Sequence, residues 1–117
     1  MLLSAFLTKV HASEQVSFNE TLAVIAENYH YQAVEFWNGL GEDRLINAPG
    51  QNEGSCRVFA FAQLQQLTQA QTLNLFGDFY WQDVLNHPGA SDHLNIRNFI
   101  KYGWDGIDYK GVALTPK

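Results

Sequence analysis

The segment 55–66 constrains the fold more than any other part of this 117-residue chain. It has helical character and is apolar on every side over Val58–Ala62. A helix that is apolar all round is covered by other elements, so this segment is predicted to be the central helix. A chain of this length can enclose such a helix in one domain and is too short for two.

The chain before this segment carries two helix patterns. Residues 2–12 place apolar side chains at helical spacing and predict a first amphipathic helix. Ser17 followed by Glu20 is a capping box, in which each side chain bonds the backbone N–H of the other residue. It predicts a second helix that ends near Asn28.

The chain after the central segment has a second capping box, formed by Thr68 and Gln71. The helix that it opens is predicted to end by His87, because a residue before proline avoids helical geometry. Gly77 and Asp78 predict an interruption on the way, with the glycine ending one helix and the aspartate capping the next.

A last helix is predicted after Ser91 or Asp92, either of which can act as its N-cap. Lys101 in its last turn and Gly103 beyond it are typical of a helix end. The inward-facing apolar residues of these helices form the predicted core: Val58, Phe59, Phe61, Ala62, Leu64, Leu73, Phe76, Phe99 and Ile100.

Two other segments suggest extended structure. Residues 31–37 alternate with aromatics on both faces and predict a short strand buried on both sides. Residues 38–54 are rich in glycine and asparagine and predict a long loop, and 107–114 predict a short strand or hairpin. The expected fold is mainly α: a compact single domain over 1–117, with about five helices and room for a small two-stranded β element.

Charge and composition exclude several classes of partner. The formal net charge is −5, and the seven Lys and Arg residues are scattered. A nucleic acid or an anionic membrane surface requires a basic patch, so neither is an expected partner. No apolar run approaches the roughly 20 residues of a membrane span. The histidine spacing and the single cysteine match no metal-site motif, and we predict no cofactor.

The single cysteine, Cys56, lies where a glycine-rich polar loop runs into the central helix. A thiol cannot form an internal disulfide alone, so the cytoplasm is the expected compartment. A helix N-terminus lowers a thiol pKa, and with His93 as base Cys56 could act as a nucleophile. The alternative is a small residue packed at the helix start, since free cysteines are commonly buried and inert.

The last predicted helix is polar beside its apolar stripe. His93 and Arg97 lie four residues apart and therefore on one face, accompanied by Asn95 and Asn98. One interpretation is an anion- or amide-binding surface. The other is an internal network in which His93 and Arg97 pair with Asp78, Asp83 or Asp92.

Several of these segments carry motifs that resemble the HopJ type III effector family. The matching stretches are Gly50–Cys56 with the helix that follows, Phe76–Tyr80, Asp83–Leu85, Asp92–Phe99 and Gly103–Ile107. The resemblance extends from about Phe6 to Thr115. It implies a small single-domain protein, from a family named after effectors delivered into host cells, and it brings no catalytic residues with it.

The leading hypothesis is a non-enzymatic binding or interaction module for a protein or small-molecule ligand. Its site is predicted where the 47–56 loop meets the last helix; the candidate binding residues are Gln51, Asn52, Ser55, Asp78, His93, Asn95, Arg97 and Asn98. The rival is a thiol-dependent hydrolase or transferase that uses Cys56 and His93. In a third possibility, the polar motifs only lock the loop to the core. The cytoplasm is the expected location, with secretion into a host cell implied by the resemblance.

Overall fold

The structure is a computed structural model that describes residues 2–117. Its α-helices are α1 (Leu3–His11), α2 (Phe18–Asn28), α3 (Glu53–Leu64), α4 (Gln69–Asn74) and α5 (Leu94–Tyr102), with a π-helix at Phe79–Val84. The strands are β1 (Tyr29–Tyr31), β2 (Phe36–Asn38), β3 (Leu45–Asn47), β4 (Asp108–Tyr109) and β5 (Leu114–Pro116). The prediction of a mainly α fold with a small β element is confirmed.

The central position of α3 is also confirmed. Phe59 is fully buried, and its ring lies 4.9 Å from the ring centroid of Phe99 on α5 and 5.3 Å from that of Phe76. The prediction of burial is wrong for two residues. Leu64 and Ile100 are 50% and 40% exposed, because Leu64 is the last residue of α3 and the core covers α5 along Ile96 and Phe99.

Both capping boxes form as predicted. Glu20 N donates to Ser17 Oγ over 3.0 Å, and Gln71 N donates to Thr68 Oγ1 over 3.1 Å. In each pair the second side chain accepts a bond from the backbone N–H of the cap residue. These local bonds set where α2 and α4 begin.

The predicted cap of the last helix is wrong. The N-cap of α5 is His93, which adopts a left-handed conformation with φ 50° and ψ 45°. Asp92 is engaged elsewhere, because its carboxylate accepts a 2.7 Å bond from Arg97 Nη2.

Gly77 ends the α4 region, as predicted, and directs the chain into the π-helix. Its φ is +59°, and a Cβ at this position would lie 2.7 Å from the backbone N of Phe18. Glycine therefore permits both the turn and the close approach of α2. As a result, Phe18 meets Phe79 edge to face, with 5.0 Å between the ring centroids.

The predicted strand over 31–37 is wrong in its extent, because the chain changes sheets there. β1 pairs with β5, whereas β2 lies between β3 and β4 in a second antiparallel sheet. The predicted loop over 38–54 is likewise too long, since it contains β3. Strands this short are selected by partners distant in sequence, which local alternation cannot reveal.

Candidate functional site

An open cleft of about 600 Å³ lies where β3 and the loop after it meet the starts of α3 and α5. It is lined by amides, hydroxyls, one imidazole, aromatic rings and aliphatic side chains: Phe18, Leu45, Ile46, Asn47, Gln51, Asn52, Gly54, Ser55, Phe76, Phe79, Ser91, His93, Leu94, Asn95 and Ile96. This lining holds no Asp, Glu, Lys or Arg among the residues that the structure describes. The cleft is therefore polar without carrying a formal charge of its own.

A network of asparagine side chains forms one wall of the cleft. Asn47 and Asn95 are buried and pair amide to amide: Asn95 Nδ2 donates to Asn47 Oδ1 over 3.0 Å, and Asn47 Nδ2 donates back over 3.2 Å. Asn52 Nδ2 also donates to Asn47 Oδ1, over 2.7 Å. The network fixes the loop to α5 and holds the amide groups in one arrangement.

Asn38 extends this network into the core. Its Nδ2 donates to the backbone oxygen of Asn95 over 2.7 Å and to Asn95 Oδ1 over 3.0 Å. Asn38 is fully buried, and its Oδ1 is without a hydrogen-bond partner among the described residues. A buried oxygen without a partner costs about 1–3 kcal/mol, so the fold maintains this network at some expense in stability.

Two helices begin at the cleft, and both begin in the same unusual way. The N-caps Asn52 and His93 are left-handed, with φ 51° and 50°. Their side chains turn away from the helix ends, toward Asn47 and Asp83 respectively. The first-turn N–H groups of α3 and α5 are thus not occupied by their cap residues within the described chain.

The π-helix holds the imidazole of His93 in place. His93 Nε2 lies 3.0 Å from Asp83 Oδ2, and its ring centroid lies 5.1 Å from that of Phe79. Asp92 is farther away, with Oδ2 at 3.8 Å. Local π-helical geometry is frequent at functional sites, and here it brings Asp83 and Phe79 to the same ring.

Cys56 does not line the cleft, although its neighbour Ser55 does. The Cys56 side chain is 1% exposed, and its Sγ lies 4.0 Å from the carbonyl oxygen of Val34. Burial raises the pKa of the Cys56 thiol. The structure does not bring Cys56 to the cleft that His93 lines, and the thiol has the environment of a packed core residue.

The other predicted site residues divide between the cleft and its surroundings. Gln51, Asn52, Ser55, His93 and Asn95 line the cleft. Three do not: Asp78 faces a neighbouring hollow, while Arg97 and Asn98 bond other parts of the fold. Arg97 donates to the backbone oxygen of His87 over 2.8 Å, and it holds the pKa of the Asp92 carboxyl below its usual range. Asn98 Nδ2 donates to the carbonyl oxygens of Asn38 and Asp43.

Sequence reasoning missed the aromatic part of the cleft. Phe18, Phe76 and Phe79 all line it, although Phe76 was predicted to be a core residue and the other two were given no role. Phe79 is 39% exposed. Sequence reasoning also missed Asn38 and Asn47, which it assigned to the loop over 38–54. The several asparagines between 38 and 52 were the available signal, because buried amides require partners.

Side-chain clusters and helix lengths bear on two other classes of function. Over residues 2–117, three or more His, Cys, Asp or Glu side chains do not come together in a group that could hold a metal ion. In the same described part of the chain, none of the helices has the length and apolar character needed to cross a bilayer.

The fold defines a small α-rich protein with an open, amide-lined cleft. The chain belongs to the HopJ type III effector protein family, whose model matches residues 3–114. It is similar to the crystal structure of VPA0580, a protein of unknown function, with 44% sequence identity and a TM-score of 0.94. The match covers 100% of this chain and 95% of that one. No protein of curated function matches.

Proposed function

We propose that this protein is a non-enzymatic binding module whose site is the amide-lined cleft. The observation that carries the proposal is the preorganisation of the lining. Asn47 and Asn95 fix each other, and Asp83 fixes His93, before any ligand arrives. Polar groups held in place in advance cost little ordering entropy on binding.

The lining favours a ligand that presents carbonyl or amide groups to the cleft. Asparagine and glutamine side chains offer both donors and acceptors, and the first-turn N–H groups of two helices add donors at the same place. Phe79 and Phe18 offer an apolar surface beside them. A cleft of about 600 Å³ falls in the usual size range of small-molecule sites.

The buried thiol supports the binding module over the thiol-dependent enzyme. An activated cysteine needs a lowered pKa and access to a base, whereas burial raises the pKa of Cys56 and Asp83 engages His93. For location, the cytoplasm remains the expectation from the sequence. The family description, type III effector protein, is the reason to test delivery into a host cell with a translocation reporter.

The test is a screen of neutral amides and lactams by NMR on ¹⁵N-labelled protein. We expect hits to shift resonances of cleft residues such as Asn52 and Leu94. Ser55→Leu, which fills the cleft from α3, should weaken the hits at least about tenfold, roughly 1.4 kcal/mol.

Gln63→Leu is the matched control, since Gln63 is an exposed residue on the same helix outside the cleft. It should leave binding unchanged. Hits that scatter over the surface, or that bind both variants equally, would contradict the proposal.

A further inference from the structure

We propose that the ligand of the cleft is an extended polypeptide segment that pairs with the free edge of β3. This rests on the proposed function, because it names the ligand class of the same site. β3 is an outer strand of the order β3-β2-β4, and its residues Leu45, Ile46 and Asn47 all line the cleft.

The hydrogen-bond pattern identifies which backbone groups are free. Glu35 and Gly39 flank β2, and both bond the side of β4: Lys110 N donates to Glu35 O, and Gly39 N donates to Gly106 O. The odd-numbered residues along this stretch therefore direct their backbone groups toward β4. In an antiparallel sheet the next residues point the other way. Phe36 and Asn38 therefore bond β3.

Within β3, the partners of these two residues are Asn47 and Leu45. The residue between them, Ile46, must then direct its N–H and C=O away from β2, toward the open edge. Ile46 is 59% exposed. Two residues further along, Ala48 is already satisfied, because it exchanges bonds with Gln51 N and Gln51 Oε1 at 2.9 and 3.2 Å.

The outward N–H and C=O of Ile46 are one donor and one acceptor, the same pair that a residue of an extended peptide offers. Ile46 can exchange two hydrogen bonds with one residue of an added strand, while alternate side chains of the peptide enter the neighbouring hollows. The cleft itself is one hollow. A second hollow of about 410 Å³ shares Phe18 and Phe79 with it, so the groove can hold several residues.

Charge around the groove favours a basic peptide. The exposed side chain of Asp78 faces the second hollow, and Asp83 lies on the adjoining π-helix. The whole chain carries a formal charge of −5. We therefore expect a peptide with a Lys or Arg placed beside Asp78, a contact that salt screens.

The experiment selects binders from a phage-displayed library of random octapeptides and measures the affinity of one synthetic peptide by fluorescence anisotropy. Ile46→Pro removes the outward N–H and is compatible with an edge position. It should weaken binding at least tenfold. Ile46→Ala, the matched control, keeps the N–H and should stay within about threefold of the native affinity.

A scan of the peptide by backbone N-methylation makes the test independent of how Ile46→Pro folds. At one peptide position, N-methylation should weaken binding to the native protein at least tenfold. Asp78→Asn should weaken the binding of a basic peptide a few-fold. A flat scan would overturn the edge pairing and leave the cleft as the site. Failure to select any octapeptide would overturn the proposal of a peptide ligand. The screen of neutral amides would still test whether the cleft is a binding site. Peptides indifferent to Ser55→Leu would overturn both proposals.

Discussion

Ser55 and Cys56 are neighbours in sequence, yet they belong to regions of different character. Ser55 lines an open cleft with fixed amides, whereas Cys56 is 1% exposed and packs beneath the chain at Val34. Successive residues of a helix are turned by about 100°. One step along α3 therefore separates a site that can meet a ligand from a side chain that belongs to the core.

The two regions also use their polar groups differently. On the Cys56 side, Tyr109 donates to the backbone oxygen of Cys56, and burial raises the pKa of both Tyr109 and the thiol. On the cleft side, the buried asparagines bond one another, and the exposed Asn52 connects them to the surface through Asn47. A reactive residue type at a helix start is therefore weak evidence of chemistry until its exposure is known.

Moving the thiol by one residue should produce the largest effect. In Ser55→Cys combined with Cys56→Ala, the thiol faces the cleft, and iodoacetamide should label it at least about a thousand-fold faster than the native protein. The native thiol reacts only when the structure opens, at a free energy approaching that of unfolding. Mass spectrometry of timed reactions measures both rates.

His93→Ala is the control for this comparison. It should change the labelling rate of Cys56 only as far as it changes the free energy of unfolding, because the imidazole is engaged with Asp83. Fast labelling of native Cys56 that depends on His93 would contradict the division into two regions.

Breaking the asparagine network should have the next largest effect. Asn95→Ala removes the three hydrogen bonds that the Asn95 side chain makes with Asn38 and Asn47, at about 0.5–1.5 kcal/mol for each bond. Urea unfolding measures the loss. Asn98→Ala, on the same helix but only partly buried, should cost less. Equal losses would show that the network does not hold the cleft wall.

The smallest expected effect is on the pH dependence of stability. It reports on the Cys56 region alone. The folded pKa of the thiol lies above its unfolded value of about 8.5. Above that pH the unfolded chain loses a proton that the folded protein keeps. Stability is therefore complete below about pH 8.5 and falls as pH rises, by at most about 1.4 kcal/mol per pH unit for one proton.

Urea unfolding between about pH 7.5 and 9.5 measures this slope. Cys56→Ala should flatten it, since the raised pKa values of Tyr31 and Tyr109 keep both side chains protonated over this range. The same slope in both proteins would contradict a buried thiol.

Much of the helical framework could be predicted because its signals are local. Ser17 with Glu20 forms a cap within four residues, and the apolar run Val58–Ala62 requires burial wherever it is placed. The α5 cap could not be predicted in this way. His93 adopts the left-handed conformation in a setting that includes Asp83, ten residues away in sequence.

The candidate site was predictable in location but not in composition. The loop and the last helix do meet, and Asn52, Ser55 and His93 line the cleft there. Phe18 arrives from a helix early in the chain, and Asn38 bonds Asn95 across 57 residues of sequence. Contacts over such distances leave no periodic trace in the sequence.

The sequence by itself determined the helices, their capping boxes and the burial of α3, because periodicity and caps act within a few residues. Only the tertiary structure decided which three-residue strands pair, which face of α3 opens to the cleft, and which backbone edge stays free. These choices depend on residues that meet only after the chain has folded. They are settled by packing around α3, where turning the helix by one residue would bring Cys56 into the environment of Ser55.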